Sequence, residues 1–270
     1  MRQPISGLLI VKNEAQFIER ALSSLLWCDE IIVVDALSTD ETPALCLNPT
    51  QPWNKKIKFI QKEWIGFSAQ RNFAIDQATH DWIFFLDGDE ACSGELSKEI
   101  LNLLKDAALV PAQFKVRRQE FFLKKPIRYG IWNPSYSVRL FYKKSFRFIG
   151  EVHEGVSCPY ELKTIHEPII HVEDLRIERI LTKLNHYTTL QAEHDYETGM
   201  RTNFFKIFLS FPAMFYKNYF YYESYRDGKE GLIISTLEGI SRLVRHLKIW
   251  QLGQVEKKRI KKKSLGKFTQ

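Results

Sequence analysis

The chain has no CxxC pair. Its four cysteines, Cys28, Cys46, Cys92 and Cys158, lie far apart among 270 residues. That excludes a zinc-finger pattern and a disulfide framework, and is the usage of a reducing compartment. It also lacks any run of the ~18–20 uninterrupted apolar residues that a bilayer-spanning helix needs. The nearest candidate, residues 204–222, is broken by Lys206, Pro212 and Lys217. The opening MRQPISGLLIVKNEA has too short an apolar run, met at once by charge, to read as a secretory signal. There is no internal repeat, and no glycine- and lysine-rich phosphate loop follows the first apolar run, LLIVKNE. The latter counts against a nucleotidyltransferase.

Acidic residues are scarce in one place only. Residues 1–90 carry 8 basic and 13 acidic side chains, residues 91–200 carry 16 and 14, and residues 201–270 carry 15 and 5. The net charge of +7 therefore sits at the C-terminal end, which closes on KKRIKKKSLGK. A basic end of this kind meets a polyanion. The acidic first ninety residues would repel phosphate without a metal, and so argue against a non-catalytic nucleic-acid binder.

Apolar residues make up 44% of the chain, enough for a sizeable core. The first ninety residues alternate strand and helix patterns. Residues 5–11, 30–34 and 82–86 are short, mostly apolar runs fit for strands, and 57–61 reads as a further strand; residues 14–26 and 68–78 carry helical spacing, and Thr39 or Asp40 caps a helix through Leu45. Continuous apolar strands alternating with helices predict a parallel sheet covered on both faces. Beyond residue 91 a helix over 95–104 precedes strands of an antiparallel addition over 114–122, 137–142 and 147–156, then a strand over 169–172. Residues 175–197, 203–222 and 229–250 read as helices. The division expected is a catalytic domain over 1–174 (nucleotide-binding half 1–91, acceptor half 92–174) and a basic helical extension over 175–270.

Ligands of open α/β sheets bind beyond the carboxyl ends of the strands. Three apolar runs here end in polar chemistry: Lys12-Asn13-Glu14, Asp35 through Thr42, and Asp87-Gly88-Asp89-Glu90. In an extended turn Asp87 and Asp89 would point the same way, with Gly88 leaving room for a bulky anion. Two carboxylates suit Mg²⁺ or Mn²⁺ shared with phosphate oxygens; the plainer alternative is a solvated turn. Asp35 tops a strand where a carboxylate can accept hydrogen bonds from a base or ribose, while Asp40 and Thr42 read as capping residues. Arg71 lies in the first turns of a helix facing the same rim. It reads equally as a phosphate or base contact and as a surface ion pair with Asp76. His171 follows an apolar strand and is either a further metal or phosphate ligand or a satisfied core histidine.

The segments GLLIVKNEAQFIERALSSL, IIVVDALSTDET and GFSAQRNFAIDQATHDWIFFLDGDE resemble the nucleotide-sugar half of family 2 glycosyltransferases. More narrowly the resemblance is to bacterial lipopolysaccharide-core β-glucosyltransferases. It continues through SVRLFYKKSFRFIGEVHEGV, IIHVEDLRIERILTKLNHYTTLQAE and DGKEGLIIS, so it covers most of residues 5–250. The departure is Ala36-Leu37, where the pattern prefers small residues such as Ser-Gly.

The resemblance implies a GT-A (Rossmann-like) fold and inverting transfer of a hexose, glucose from UDP-glucose, onto a lipopolysaccharide inner-core sugar. It implies Asp35 on the uracil with Arg71 nearby, Asp87 on the ribose, and Asp89 holding a divalent metal on the diphosphate. Lys12 and Asn13 join the donor site, and Asp87 and His171 stand beside Asp89 as metal candidates. Of the acids after Gly150, Glu154 is the expected base for the acceptor hydroxyl, with Glu151 and Glu173 or Asp174 behind it; pairing of Glu154 with Arg139 or Arg147 is the alternative. The expected setting is cytoplasmic, on the inner face of the bacterial inner membrane. There the aromatic C-terminal helices and basic end would meet anionic lipid.

Overall fold

The computed structural model describes residues 2–123, 125–150, 155–171 and 177–265, the side chains of 257–265 excepted. Glu151, His153, Glu154, Glu173 and Asp174 lie outside the described residues. The chain divides into two compact units: Met1–Phe121 with Pro134–Glu173, and Phe122–Asn133 with Asp174–Gln270. The segment Phe122–Asn133, inside the expected acceptor half, thus groups with the C-terminal helices.

In the first unit the elements run β1 (Ile5–Val11), α1 (Ile18–Ser24), β2 (Glu30–Asp35), α2 (Thr42–Cys46), β3 (Ile57–Gln61), α3 (Phe67–Asp76), β4 (Trp82–Asp87), β5 (Glu90–Cys92) and α4 (Gly94–Leu104). There follow β6 (Gln113–Phe122), β7 (Lys125–Pro126, in the second unit), β8 (Ser135–Tyr142), β9 (Arg147–Ile149), β10 (Gly155–Ser157) and β11 (Leu162–His171). The main sheet has the order β3-β2-β1-β4-β8-β6-β11-β5. The first four strands are parallel, as continuous apolar runs require. Their alternate residues feed two cores: Ile5, Leu9 and Val11 on one face, Leu8 and Ile10 on the other.

The addition beyond β4 is not wholly antiparallel. β8 opposes β4 and β6, but β11 runs parallel to β6 and opposes β5. β11 also starts seven residues before the expected strand, because its first half is exposed and carries Lys163, His166 and Glu167 instead of an apolar run. The strand expected over 147–156 is a hairpin of β9 and β10. α1 begins four residues late, since residues 13–15 are tied to the next loop. Asn13, Glu14 and Ala15 donate backbone N–H groups to Ser38, Thr42 and Asp40. Asp40 also accepts from the Thr42 N–H at 3.0 Å, but α2 itself has no side-chain cap.

The second unit contains α5 (Ile177–Glu197), α6 (Phe204–Tyr216), a π turn over Lys217–Tyr221, a 3-10 turn over Ser224–Asp227 and α7 (Lys229–Leu265). α5 and α6 both pack on α7. Among the described residues no helix is long and apolar enough to cross a membrane.

Candidate active site

From β1 the chain steps outward to β2 and β3, then returns to the other side of β1 as β4. That reversal opens a crevice at the carboxyl ends of β1 and β4, the place where such sheets bind ligands. Two acids stand in register across it. Asp35, the last residue of β2, pairs with Val11, and Asp87, the last residue of β4, pairs with Ile10. With strands ~4.8 Å apart, the two backbones are about 10 Å apart, on either side of β1.

Asp35 is fully buried and satisfied within the protein. It accepts from the Ser38 N–H at 3.0 Å, from the Ser38 hydroxyl, and from Gln61 Nε2 at 3.1 Å. Ser38 Oγ in turn accepts the Asn13 N–H at 2.8 Å, and Asn13 Oδ1 accepts the Thr39 N–H at 2.8 Å. The first two loops are therefore laced into one wall. Asn13 and Leu37 both adopt positive φ, 57° and 55°. The Ala36-Leu37 turn thus takes a left-handed conformation with a leucine in it.

At β4 the turn sends its two acids to different partners. Asp87 Oδ1 accepts from Arg71 at 3.0 Å and Oδ2 from Arg139 at 2.6 Å. Burial pushes the Asp87 carboxyl up, but the two guanidiniums more than reverse this and hold it well below the usual carboxylate range. Asp89 instead faces His171, whose Nε2 lies 3.2 Å from Oδ2. Gly88 serves packing: a Cβ there would sit 2.7 Å from Glu14 Cγ, so a side chain would push the first loop away.

Arg71 does not pair with Asp76, which goes to Arg147 at 2.9 Å. Its guanidinium lies over the rings of Phe85 and Phe148, 5.0 and 5.2 Å from their centroids, which fixes a planar cation at the rim. The neighbouring Asn72 grips both backbone groups of Phe148 in β9, each at 2.9 Å. Ser68 donates to the Gly150 carbonyl at 2.6 Å. Helix α3 thereby anchors the hairpin from which residues 151–154 depart.

Beneath the turn runs a charge network that the sequence reading did not contain. Arg139, only 4% exposed, bridges Asp87 and the buried Glu90, the latter at 2.7 Å. Burial, opposed by Arg139 and reinforced by the Asp87 charge, raises the Glu90 carboxyl. Arg118 continues the network from Glu90 at 3.6 Å to Glu120 at 2.5 Å, and Glu120 holds His171 Nδ1 at 2.5 Å. Burial alone would lower the His171 imidazolium; its bonds to Asp89 and Glu120 outweigh that and lift it to about 9. One signal for Arg139 was legible, an arginine inside the apolar strand YSVRLF. A residue of that kind is buried only with a carboxylate partner.

The donor set fits a divalent ion. Two cis ligands of an octahedral ion at ~2.1 Å stand roughly 3.0 Å apart, close to the Asp89–His171 separation of 3.2 Å. A metal-ligating histidine commonly has its other nitrogen on a carboxylate, the position Glu120 occupies. No ready cage of three or more His, Cys, Asp or Glu gathers among the described residues. Two protein ligands would leave the remaining positions to phosphate oxygens and water, the usual sharing for Mg²⁺.

The switched sheet, its acidic rim and the helical extension define a GT-A glycosyltransferase that uses a nucleotide-sugar donor. The chain belongs to glycosyltransferase family 2, whose family model (Glycosyl transferase family 2) matches residues 6–159. It is 28% identical over 256 residues to the lipopolysaccharide core biosynthesis glycosyltransferase LpsC of Rhizobium meliloti, covering 92% of each chain. An uncharacterized glycosyltransferase of Rickettsia felis is also 28% identical, over 92% of this chain and 89% of its own. In three dimensions the chain is similar to the mannosyltransferase PcManGT of Pyrobaculum calidifontis, solved with GDP-Man and Mn²⁺. The TM-score is 0.51 at 15% identity, over 92% of this chain and 87% of that one.

Proposed function

We propose that the protein transfers glucose from UDP-glucose, with inversion, onto an inner-core sugar of lipopolysaccharide, working at the cytoplasmic face of the inner membrane. The observation that carries this reading is the rim itself. Asp35 and Asp87 flank the end of β1 in register, and Asp89 and His171 stand together at the following turn. The name of the R. meliloti relative supports the acceptor class.

In this reading Asp35 accepts from the uracil, beside Lys12, Asn13 and Arg71, exchanging the Gln61 bond for a ligand bond. Asp87 accepts from ribose hydroxyls, and Arg71, released in part from Asp87, turns its remaining donors to phosphate. Asp89 and His171 hold a divalent ion, Mg²⁺ or Mn²⁺, which when bound neutralises charge on the departing diphosphate. Arg139 keeps Asp87 ionised and in place. Glu154, with Glu151 as the second candidate, takes the acceptor hydroxyl proton as the new C1–O bond forms and the C1–O–phosphate bond breaks. The anchoring of Gly150 by Ser68 and of Phe148 by Asn72 supports this placement, because it fixes the start of that segment to α3. The basic C-terminal region meets anionic lipid, which holds the enzyme beside a lipid-linked acceptor. Nucleic acid has no part in this reading.

The test is a thermal-shift panel of nucleotide sugars with and without Mn²⁺. UDP-glucose with Mn²⁺ should raise the melting point most, and Asp89→Ala should remove the metal dependence. Equal shifts for purine and pyrimidine donors would contradict the uracil assignment to Asp35.

A further inference from the structure

Helix α6 is built inside out for a protein in water. Its inward stripe, spaced i, i+3, i+4, is the buried Ile207 and Ser210 with the half-buried Phe211 and Met214, continuing to the buried Asn218 in the π turn. Two of these five are polar: Ser210 Oγ donates back to the Ile207 carbonyl of its own helix at 2.7 Å, and Asn218 Nδ2 donates across to Ser235 Oγ of α7 at 3.0 Å. The face of α7 that receives them includes small residues beside Leu243. A Cβ on Gly239 would meet the Phe211 ring at 2.8 Å, and Ser235, one turn away, receives Asn218. Most of the aromatic side chains point outward. Phe204, Phe205 and Phe208 are 82, 68 and 69% exposed, Tyr216 is 63% exposed, and Phe220 and Tyr221 extend the face. Small residues at the helix contact with large ones outside is the pattern of helices that pack in lipid. In water it leaves an apolar surface that calls for a partner.

Charge identifies the partner. Residues 198–222 contain no Asp or Glu but include Arg201, Lys206 and Lys217. Thirteen residues make α6 about 20 Å long, short of the ~30 Å hydrocarbon core, so it lies along the surface and does not span. We propose that the exposed aromatic face of α6 and its π turn seats in the headgroup–acyl boundary of an anionic bilayer, with Lys206 and Lys217 among the phosphates. This gives the proposed membrane setting a specific docking surface and rests on that setting for its purpose. It predicts insertion of aromatic rings, where the basic C-terminal end would supply attraction alone.

The test is co-sedimentation with phosphatidylethanolamine–phosphatidylglycerol vesicles at low and high salt, alongside the UDP-glucose thermal shift. The wild-type protein should sediment with the vesicles and stay bound in part at high salt, since ring insertion is not screened. F205S/F208S/Y216S should bind about tenfold more weakly or worse, with its melting point and its UDP-glucose response unchanged. F208W should be quenched by brominated lipids. A triple variant that binds as tightly as wild type, an unquenched F208W, or release of all wild-type protein by salt would each overturn the proposal. So would a concentration-dependent dimer that the triple variant splits while vesicles bind neither form, which would assign the face to a second copy. Loss of the nucleotide response with vesicle binding intact would count against the donor reading alone.

Discussion

His171 Nε2 lies 3.2 Å from Asp89 Oδ2, on an imidazole whose other nitrogen is held by Glu120. Without a metal the most favourable occupant of that gap is a proton. The imidazolium between two carboxylates titrates at about 9, against about 6.5 when unfolded. A folded value above the unfolded one stabilises fully below pH ~6.5 and is lost as pH climbs through 9. Its ceiling is on the order of 3 kcal/mol. The metal-free protein should therefore lose stability between pH 6.5 and 9, as read from urea midpoints, and His171→Gln should flatten that slope. A slope unchanged in the variant would place the titrating group elsewhere.

Glu120 touches the proposed metal pair through His171. Glu120→Gln removes the charge that orients the ring and keeps it basic, and second-layer carboxylates of this kind are worth roughly 10–100-fold in metal affinity. The expected result is an Mn²⁺ affinity lower by that factor, with donor affinity at saturating Mn²⁺ little changed and the His171 titration moved down. Equal metal affinity in both proteins would confine Glu120 to an ion pair with Arg118.

Among the described residues Arg139 is the one cation touching both Asp87 and the buried Glu90. Arg139→Met preserves volume, leaves Asp87 with Arg71 and leaves the enclosed Glu90 with the longer 3.6 Å contact to Arg118, so a loss of about 3 kcal/mol is expected. Adding Glu90→Gln should restore part of it, because the neutral amide no longer needs a counter-charge. A single variant that unfolds at the wild-type urea midpoint would show that water replaces the guanidinium.

Strands β1, β2 and β4 were legible because each is buried on both faces and so reads as a nearly unbroken apolar run, as in Glu30–Asp35 and Trp82–Asp87. The first half of β11 is exposed and charged and has no such signature. Within the site, sequence places Asp35, Asp87 and Asp89 at strand ends, because strand ends are visible. It does not reveal that Asp87 and Asp89 diverge. That depends on Arg139 and His171, which arrive from β8 and β11 only once the sheet is assembled. Arg71 illustrates the same limit: a helix pattern offers Asp76 as a neighbour, and tertiary structure supplies Asp87.

Leu37 shows a cost that remains in the donor wall. Its φ of 55° is a left-handed conformation that a non-glycine residue holds at roughly 1–2 kcal/mol. The side chain recovers little of that, being 46% exposed. What holds it there is the following residue: Ser38 bonds Asp35 through both its N–H and its hydroxyl, and receives the Asn13 N–H. Asparagine tolerates this conformation, as Asn13 does across the loop at φ 57°. Leu37→Asn should therefore raise the melting point by about 2–4 °C while leaving the Ser38 bonds intact. Ser38→Ala should lower it, since the buried Asp35 loses a donor and the first loop loses an acceptor. If Leu37→Asn instead destabilises, the leucine packs against something more than solvent, and a bound nucleotide base is the partner to test by repeating the melt with UDP.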